Sequence, residues 1–315
     1  MHPSDNEPSG HVPVLLDEVL ERLSPSAGEV HVDGTLGLGG HAERVLSRLG
    51  PTGLLIGIDR DAEALEIARP RLDATGCPYR IARGSFAEIP RFLRSFGLSP
   101  EGAMDGLLLD LGLSSLQLDK PQRGFSFLRD GPLDMRMSAG EGETATELLE
   151  RLSVEELEGV LREYGEEPAA RRIARAIDTA RRKEPIRTTG RLARIVESVL
   201  ARGAGRIHPA TRTFQAIRIC LNRELESLQV VLKDLDRWLK PAGRVVVLSY
   251  HSLEDRLVKQ RFREGIREGY FREVFRNPAR PGPEEVQRNP RARSAKLRSV
   301  VRCKPMEGVP SGGEP

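Results

Sequence analysis

The sequence predicts a doubly wound, largely parallel α/β sheet interrupted by an all-helical subdomain, and three observations carry that prediction. Two apolar runs, Val30–Asp33 and Leu54–Asp59, flank a glycine-rich turn, Gly34-Thr35-Leu36-Gly37-Leu38-Gly39-Gly40-His41, and the helix that follows it. A continuous apolar run, Leu107-Leu108-Leu109, ends at the carboxylate of Asp110, as a strand buried on both faces of a parallel sheet would. From about Leu118 to Pro209 no strand-like run occurs, while apolar residues recur at helical spacing. Strands that alternate with helices argue for a parallel sheet with its sites at the strands' carboxyl ends.

In chain order, the first ten residues are polar with Pro and Gly and read as a disordered tail rather than a signal. The apolar period of His11–Leu20 predicts an N-terminal helix packed near the first strand. After the strand–turn–helix–strand unit, Tyr79–Arg83 reads as a third strand and the run ending at Asp110 as a fourth. In the helical stretch, Thr144-x-x-Glu147 and Ser153-x-x-Glu156 are capping-box patterns. Pro168 suits the first position of another helix, and Thr189 suits the start of the next. A long helical segment from about Ala210 to Leu239 returns the chain to the sheet. Lys240-Pro241-Ala242-Gly243 reads as a breaker, Arg244–Tyr250 as the fifth strand, and Phe271–Phe275 with Lys296–Cys303 as an antiparallel pair closing the sheet. The expected division is a tail at 1–10, a sheet domain over 11–118 and 210–304, an inserted helical substrate-recognition domain over 119–209, and a tail at 305–315.

The chain of 315 residues has a formal net charge of only +3, but that charge is unevenly distributed. Residues 141–167 carry ten acids and two bases, 171–223 carry fourteen Lys or Arg and three acids, and 286–304 carry seven bases and no acid. Such blocks attract phosphates, and their plainer reading is as solvated helix faces. Cys77, Cys220 and Cys303 are far apart and form no C-x-x-C pair, so a disulfide framework or structural zinc is not expected and a reducing cytoplasm fits. No metal cluster has ligand spacing, and no run of about 18 apolar residues spans a membrane.

A ligand lying across the ends of strands one to four would meet Asp33 and the Gly37–Gly40 turn at one end. Asp59, twenty residues beyond Gly39, stands where such units place a carboxylate on ribose hydroxyls. Phe86 is set to stack on a purine, and Asp110 to stand by the reacting centre. This layout suits S-adenosylmethionine better than a dinucleotide, whose fingerprint has tighter glycine spacing and a second nucleotide half. An NAD(P)-dependent oxidoreductase and a non-catalytic RNA-binding protein remain the alternatives. His41, at the first turn of the helix, reads either as a simple N-terminal polar residue or as a ligand contact. His251, in the company of Ser249, Ser252, Glu254 and Asp255, reads as a surface histidine or as a group on the substrate side.

Eight motifs in order resemble those of the bacterial small-subunit rRNA cytosine-N4 methyltransferase family. They are Asp33-Gly34-Thr35-x-Gly37-x-Gly39-Gly40-His41, Asp110-Leu111-Gly112-x-Ser114-Ser115, Arg123–Phe127, Gly131–Met137, Tyr164–Glu167, His208–Ala216, His251–Arg256 and Asn289–Ser294. The resemblance runs from about His11 to Lys304. It implies a class I, Rossmann-like methyltransferase fold and methylation of N4 of a decoding-region cytidine, conventionally position 1402 of 16S rRNA. Its cofactor contacts would fall on Gly39, Gly40, His41, Asp59, Phe86, Asp110 and Gln117. Leu116 stands where the family usually has proline, which frees the backbone beside Gln117.

Asp110, with Ser114 in the loop that follows, is the expected amine-orienting device, and His251 the expected substrate-side group. The expected phosphate-holding residues are Arg171, Arg172, Arg175, Arg181, Arg182, Lys183, Arg212, Arg291 and Arg293. The expected partner is 16S rRNA in the small ribosomal subunit, met in the cytoplasm and away from any membrane, with a homodimer as an assembly to test.

Overall fold

The computed structural model describes residues 13–200, 208–276 and 278–303. Both expected tails, and the first two residues of the expected N-terminal helix, lie outside the described residues. The chain forms two compact units, one of Met1–Asp59, Glu63–Gly112 and Leu228–Pro315, the other of Arg60–Ala62 and Leu113–Ser227.

The strands are β1 (Val30–Asp33), β2 (Leu54–Asp59), β3 (Tyr79–Arg83), β4 (Met104–Asp110), β5 (Leu239–Ser249), β6 (Phe271–Arg272) and β7 (Lys296–Arg302). Helices α1 (Leu16–Leu23), α2 (Gly40–Leu49), α3 (Ala62–Asp73) and α4 (Ile89–Ser95) intersperse the first four strands. Next come α5 (Ser115–Asp119), α6 (Ala145–Arg151), α7 (Val154–Gly165), α8 (Ala170–Arg181), α9 (Thr189–Val199) and α10 (Thr211–Asn222). The last three are α11 (Glu224–Trp238), α12 (Ser252–Arg267) and α13 (Pro283–Arg288).

The first unit is built on one sheet in the order β3-β2-β1-β4-β5-β7-β6. Every pairing from β3 through β5 is parallel, and β7 runs antiparallel to both neighbours. The apolar run of β4 divides between two cores. Leu107 and Leu109 join Phe92, Leu232 and Phe262 on one face, while Leu108 joins Val19, Val45 and Leu72 on the other. That alternation explains why the run has no polar member, since each side chain meets a helical layer. From β1 the chain steps out to β2 and β3, then crosses back to β4. The C-terminal ends of β1 and β4 therefore flank the crevice where open sheets of this kind bind ligands.

Three local expectations are corrected here. β5 begins at Leu239 and runs through the expected breaker, because Ala242 takes φ 65° and the pairing with β4 shifts register between Met104 and Gly106. β6 is only Phe271–Arg272. α1 starts at Leu16, after Leu15 in the left-handed region at φ 51°.

In the second unit, both expected capping boxes are present, with Thr144 and Ser153 accepting from the backbone of Glu147 and Glu156. The expected continuous helix from Ala210 to Leu239 is instead two helices, broken at Arg223 with φ 50°. Phe214, Ala216 and Ile217 of α10 pack with Leu157, Leu161 and Ile173, so this unit extends to Ser227 instead of ending at 209. Helix α8 starts at Ala170, two residues after Pro168. Among the described residues, no helix is long and apolar enough to cross a membrane.

Candidate functional site

The glycine turn shapes the crevice. Gly37 and Gly39 take φ 50° and 78°, a region where a side chain is strained. Gly39 caps α2, and a Cβ there would stand 3.2 Å from Ala68 Cβ. The backbone is tied to the sheet, since Gly34 N donates to Leu108 O, Leu36 N to Ile58 O and Gly37 N to Asp59 Oδ2 at 2.7 Å. A Cβ on Gly34 would meet Leu109 Cδ2 at 2.6 Å and Phe86 Cβ at 2.9 Å. Gly34→Ala is therefore expected to lower stability by about 1–3 kcal/mol through overpacking, read as a drop in the unfolding midpoint. A variant as stable as the parent would show that β4 and Phe86 can yield.

Asp33, Asp59 and Asp110 end the adjacent strands β1, β2 and β4. Asp33 is 3% exposed, and its Oδ1 accepts from Thr35 N at 3.1 Å. Burial pushes its carboxyl up to about 7; the Thr35 amide pulls it down, and the charges of Asp110 and Asp59 push it further up. Thr35 also fixes β4, because its Oγ1 accepts from Asp110 N at 2.6 Å. Phe86 starts a short 3-10 turn capped by Ser85 and packs, half-buried, on the sheet's core.

His41 is buried, with Nε2 3.0 Å from the carbonyl of Val14. A carbonyl only accepts, so Nε2 carries the proton in that bond. The other ring nitrogen, Nδ1, faces Asp110 Oδ2 at 3.8 Å. The other oxygen, Asp110 Oδ1, is buried with no hydrogen-bond partner among the described residues. An orphaned acceptor thus stands in a crevice lined by the carboxylates of Asp33, Asp59 and Asp110. The residues fit a ligand that brings positive charge and N–H donors.

At the end of β5, His251 caps α12. Its Nδ1 accepts from Glu254 N at 3.4 Å, and its Nε2 lies 3.0 Å from Glu254 Oε1 without hydrogen-bond geometry. The surface reading is corrected, since the ring is largely buried; its Nδ1 holds the start of α12, while its Nε2 has no hydrogen-bond partner among the described residues. Glu254, 2% exposed, accepts from Tyr250 N at 2.9 Å.

In the second unit, Ser114 and Gln117 form a capping box on α5, with Gln117 N donating to Ser114 Oγ and Ser114 N to Gln117 Oε1. Arg123, set out in one of the sequence motifs, pairs with buried Asp61 at 2.5 Å and donates to the carbonyls of Arg136 and Met137. That motif is thereby a fastening between segments.

The basic residues divide by environment. Arg171, Arg172 and Arg175 are exposed on α8 opposite buried Ile173, Ala174 and Ile177, and Lys183 is exposed just beyond. Arg182 is exposed while pairing with Asp178. Arg181 departs from the expectation, since it pairs with Asp178 and donates to the carbonyls of Leu149 and Leu152. It fastens α8 to α6 and is not available to a phosphate. Arg212 is exposed and donates to Glu166 O. Arg291 and Arg293, in the first unit, are exposed.

Sequence reasoning gave Thr35 no role of its own, although its hydroxyl fixes the end of β4. The rule that sites gather at strand ends would have flagged it, since Thr35 follows β1 by two residues.

Comparison with known proteins gives one consistent result. A model of the MraW methylase family matches residues 8–303. The Ribosomal RNA small subunit methyltransferase H of Trichlorobacter lovleyi is 47% identical over 307 residues, covering 92% of this chain and 97% of that protein. Its namesake in Pelobacter propionicus is 49% identical over 308 residues, covering 92% and 97%. The one in Geobacter sulfurreducens is 48% identical over 309 residues, covering 92% and 98%.

Proposed function

The chain belongs to the MraW methylase family, and on that footing we propose that it methylates N4 of a decoding-region cytidine in the 16S rRNA of the small ribosomal subunit, by direct in-line transfer. It is a methyltransferase, S-adenosylmethionine is its cofactor, and rRNA is its substrate class. When bound, the cofactor supplies an electrophilic methyl group on a positively charged sulfur.

One observation carries the reading of the site: Asp110 Oδ1, buried at the end of β4, is an acceptor without a donor among the described residues. The exocyclic nitrogen of cytosine is a poor nucleophile because its lone pair is delocalised into the ring. A fixed acceptor for one N4 hydrogen draws that nitrogen toward tetrahedral geometry, and the same oxygen takes the proton shed after transfer. Asp33, Asp59 and Asp110 supply the negative field that a sulfonium and an ammonium require. Gly39, Gly40 and His41 let the ligand approach the start of α2, Asp59 holds ribose hydroxyls, and Phe86 lies against the purine. Alignment at about 3 Å between nitrogen and methyl carbon is the main demand on the protein.

The phosphate-holding residues are, in the second unit, the exposed basic face of α8 with Arg212 and, taken separately in the first unit, Arg291 and Arg293. Arg171 and Arg172 stand in the first turn of α8, which carries no acid. Cations are unfavourable at the positive end of a helix dipole unless an anion joins them. Reversing the charge at Arg171 and Arg175 is expected to weaken RNA binding and to flatten the log–log salt dependence by roughly 0.7–0.9 per lost contact. Cofactor affinity should stay the same. An unchanged salt slope would remove α8 from the interface. Such a substrate places the enzyme's work in the cytoplasm. Digestion of methylated small subunits to nucleosides should yield N4-methylcytidine, and methyl on a ring carbon or on ribose would refute the N4 assignment.

A further inference from the structure

Helix α12 keeps its acids and most of its bases apart. Glu254 accepts from Tyr250 N at 2.9 Å, Asp255 pairs with Lys296 at 2.8 Å and with Arg298 at 2.7 Å, and Glu264 accepts from Gln260 at 3.0 Å. Arg261 is committed as well, donating to Leu232 O and to Asp236 on α11. The other four bases, Arg256, Lys259, Arg263 and Arg267, are spaced by three and four residues and so share one face. Arg256, Arg263 and Arg267 are exposed and Lys259 is partly exposed, opposite buried Val258, Phe262 and Gly265. Arg267 comes within 3.7 Å of exposed Glu268, a contact of little weight in water. Like charges four residues apart on a helix repel, so this row costs stability until an anion meets it. The helix starts just beyond the end of β5, at the edge of the sheet where β1, β2 and β4 end in Asp33, Asp59 and Asp110. Past its other end stands Tyr270, 49% exposed, its backbone fixed by bonds of 2.8 Å to Gly265 O and from Cys303 N.

We propose that the outer face of α12 is a second track for the rRNA backbone, in which Arg256, Lys259, Arg263 and Arg267 hold phosphates and the Tyr270 ring takes a stacked base at the far end. This rests on the rRNA reading and adds a surface that the basic residues assigned above do not include. Successive steps from Lys259 to Arg263 and to Arg267 advance about 6 Å along the axis, so the row presents one cation per turn to a polyanion. Arginine suits that partner, because its planar fork bonds two phosphate oxygens at once. An aromatic ring beside such a row accepts any base, since every base has a π-face. A second copy of the chain would need an apolar centre to the contact, whereas this face is cationic along its length.

The test uses the full chain carrying Lys259→Gln, Arg263→Gln and Arg267→Gln together, with Arg94→Gln, an exposed cation of α4, as the control for charge lost elsewhere. Binding to isolated small subunits is read across a salt series, beside calorimetric S-adenosylmethionine affinity, sedimentation and the unfolding midpoint. The triple variant should lower the log–log salt slope by roughly 2 to 3, keep the parent's cofactor affinity and unfold no lower than the parent. Arg94→Gln should leave the slope unchanged. Tyr270→Ala should weaken subunit binding about tenfold at every salt concentration, and Tyr270→Phe should bind like the parent. An unchanged slope in the triple variant, or an equal fall per charge for Arg94→Gln, would overturn the track, and undiminished binding by Tyr270→Ala would overturn the stacking contact. Altered sedimentation with an unchanged slope would give the face to a second copy and overturn the proposal equally. If the parent binds small subunits but places its methyl group elsewhere than N4 of cytidine, the N4 reading falls by itself and the salt slope still decides α12. If the parent binds no small subunit, both fall.

Discussion

Asp110→Asn is expected to lower the single-turnover rate of methyl transfer by about two to three orders of magnitude, the cost of removing an acceptor aimed at a reacting group. The substitution keeps shape but replaces one oxygen with a donor. If the amide nitrogen takes the position of Oδ1, donor meets donor at the ligand. If it turns the other way, the negative charge of the carboxylate is still lost. Neither orientation restores the present arrangement, in which Thr35 holds the amide and Oδ1 is left over. Removing the charge also relieves Asp33, whose carboxyl is raised first by burial and then in part by Asp110. Rate measured at saturating cofactor, together with affinity, separates these effects. Turnover equal to that of the parent at unchanged affinity would mean that Asp110 neither orients the amine nor anchors the ligand.

The second expectation is a pH dependence of cofactor binding centred near neutrality. With its carboxyl raised to about 7, Asp33 is largely protonated in the ligand-free protein at pH 6 and largely ionised at pH 8. A positively charged ligand favours the ionised form, so binding releases a proton and affinity rises about tenfold between those values. The stability of the ligand-free protein moves the other way. An unfolded Asp releases its proton near 3.8, whereas folded Asp33 keeps it until about 7. Within that window the folded state binds more protons, so this contribution to stability is full below pH 4 and lost as pH rises through 7. Asp33→Asn should abolish both trends. Calorimetry in buffers of different ionisation enthalpy measures the released proton directly. A flat affinity from pH 6 to 8 in the parent would show that Asp33 does not titrate in the site.

Much of this arrangement was legible in the chain because its causes are local. The run Leu107-Leu108-Leu109 reads as a strand buried on both faces because consecutive side chains enter opposite cores. Thr144 and Ser153 announce helices through side chains that bond three residues ahead. Gly37 and Gly39 mark a turn that needs positive φ. Features that depend on non-glycine residues in unusual conformations left no such mark. The break between α10 and α11 rests on Arg223 at φ 50°, and the irregularity of β5 on Ala242 at φ 65°. The capping role of His251 was not announced because histidine is an uncommon N-cap, where Ser, Thr, Asp and Asn dominate.

Arg181 was counted with its basic neighbours, although Asp178 three residues earlier already offered it a partner on the same face. The approach of the Tyr250 ring to Gly112 was invisible for a different reason. That approach, between residues 138 apart in sequence, exists only because β5 lies beside β4. No single-chain pattern encodes that adjacency; it emerges from the strand order.

The account stands most directly on the fate of one methyl group. Isolated small subunits incubated with the protein and labelled S-adenosylmethionine, followed by mapping of the modified nucleotide in 16S rRNA, should place the label on N4 of a single decoding-region cytidine. Label on another base or atom, or no transfer to small subunits by protein that binds the cofactor, would contradict it.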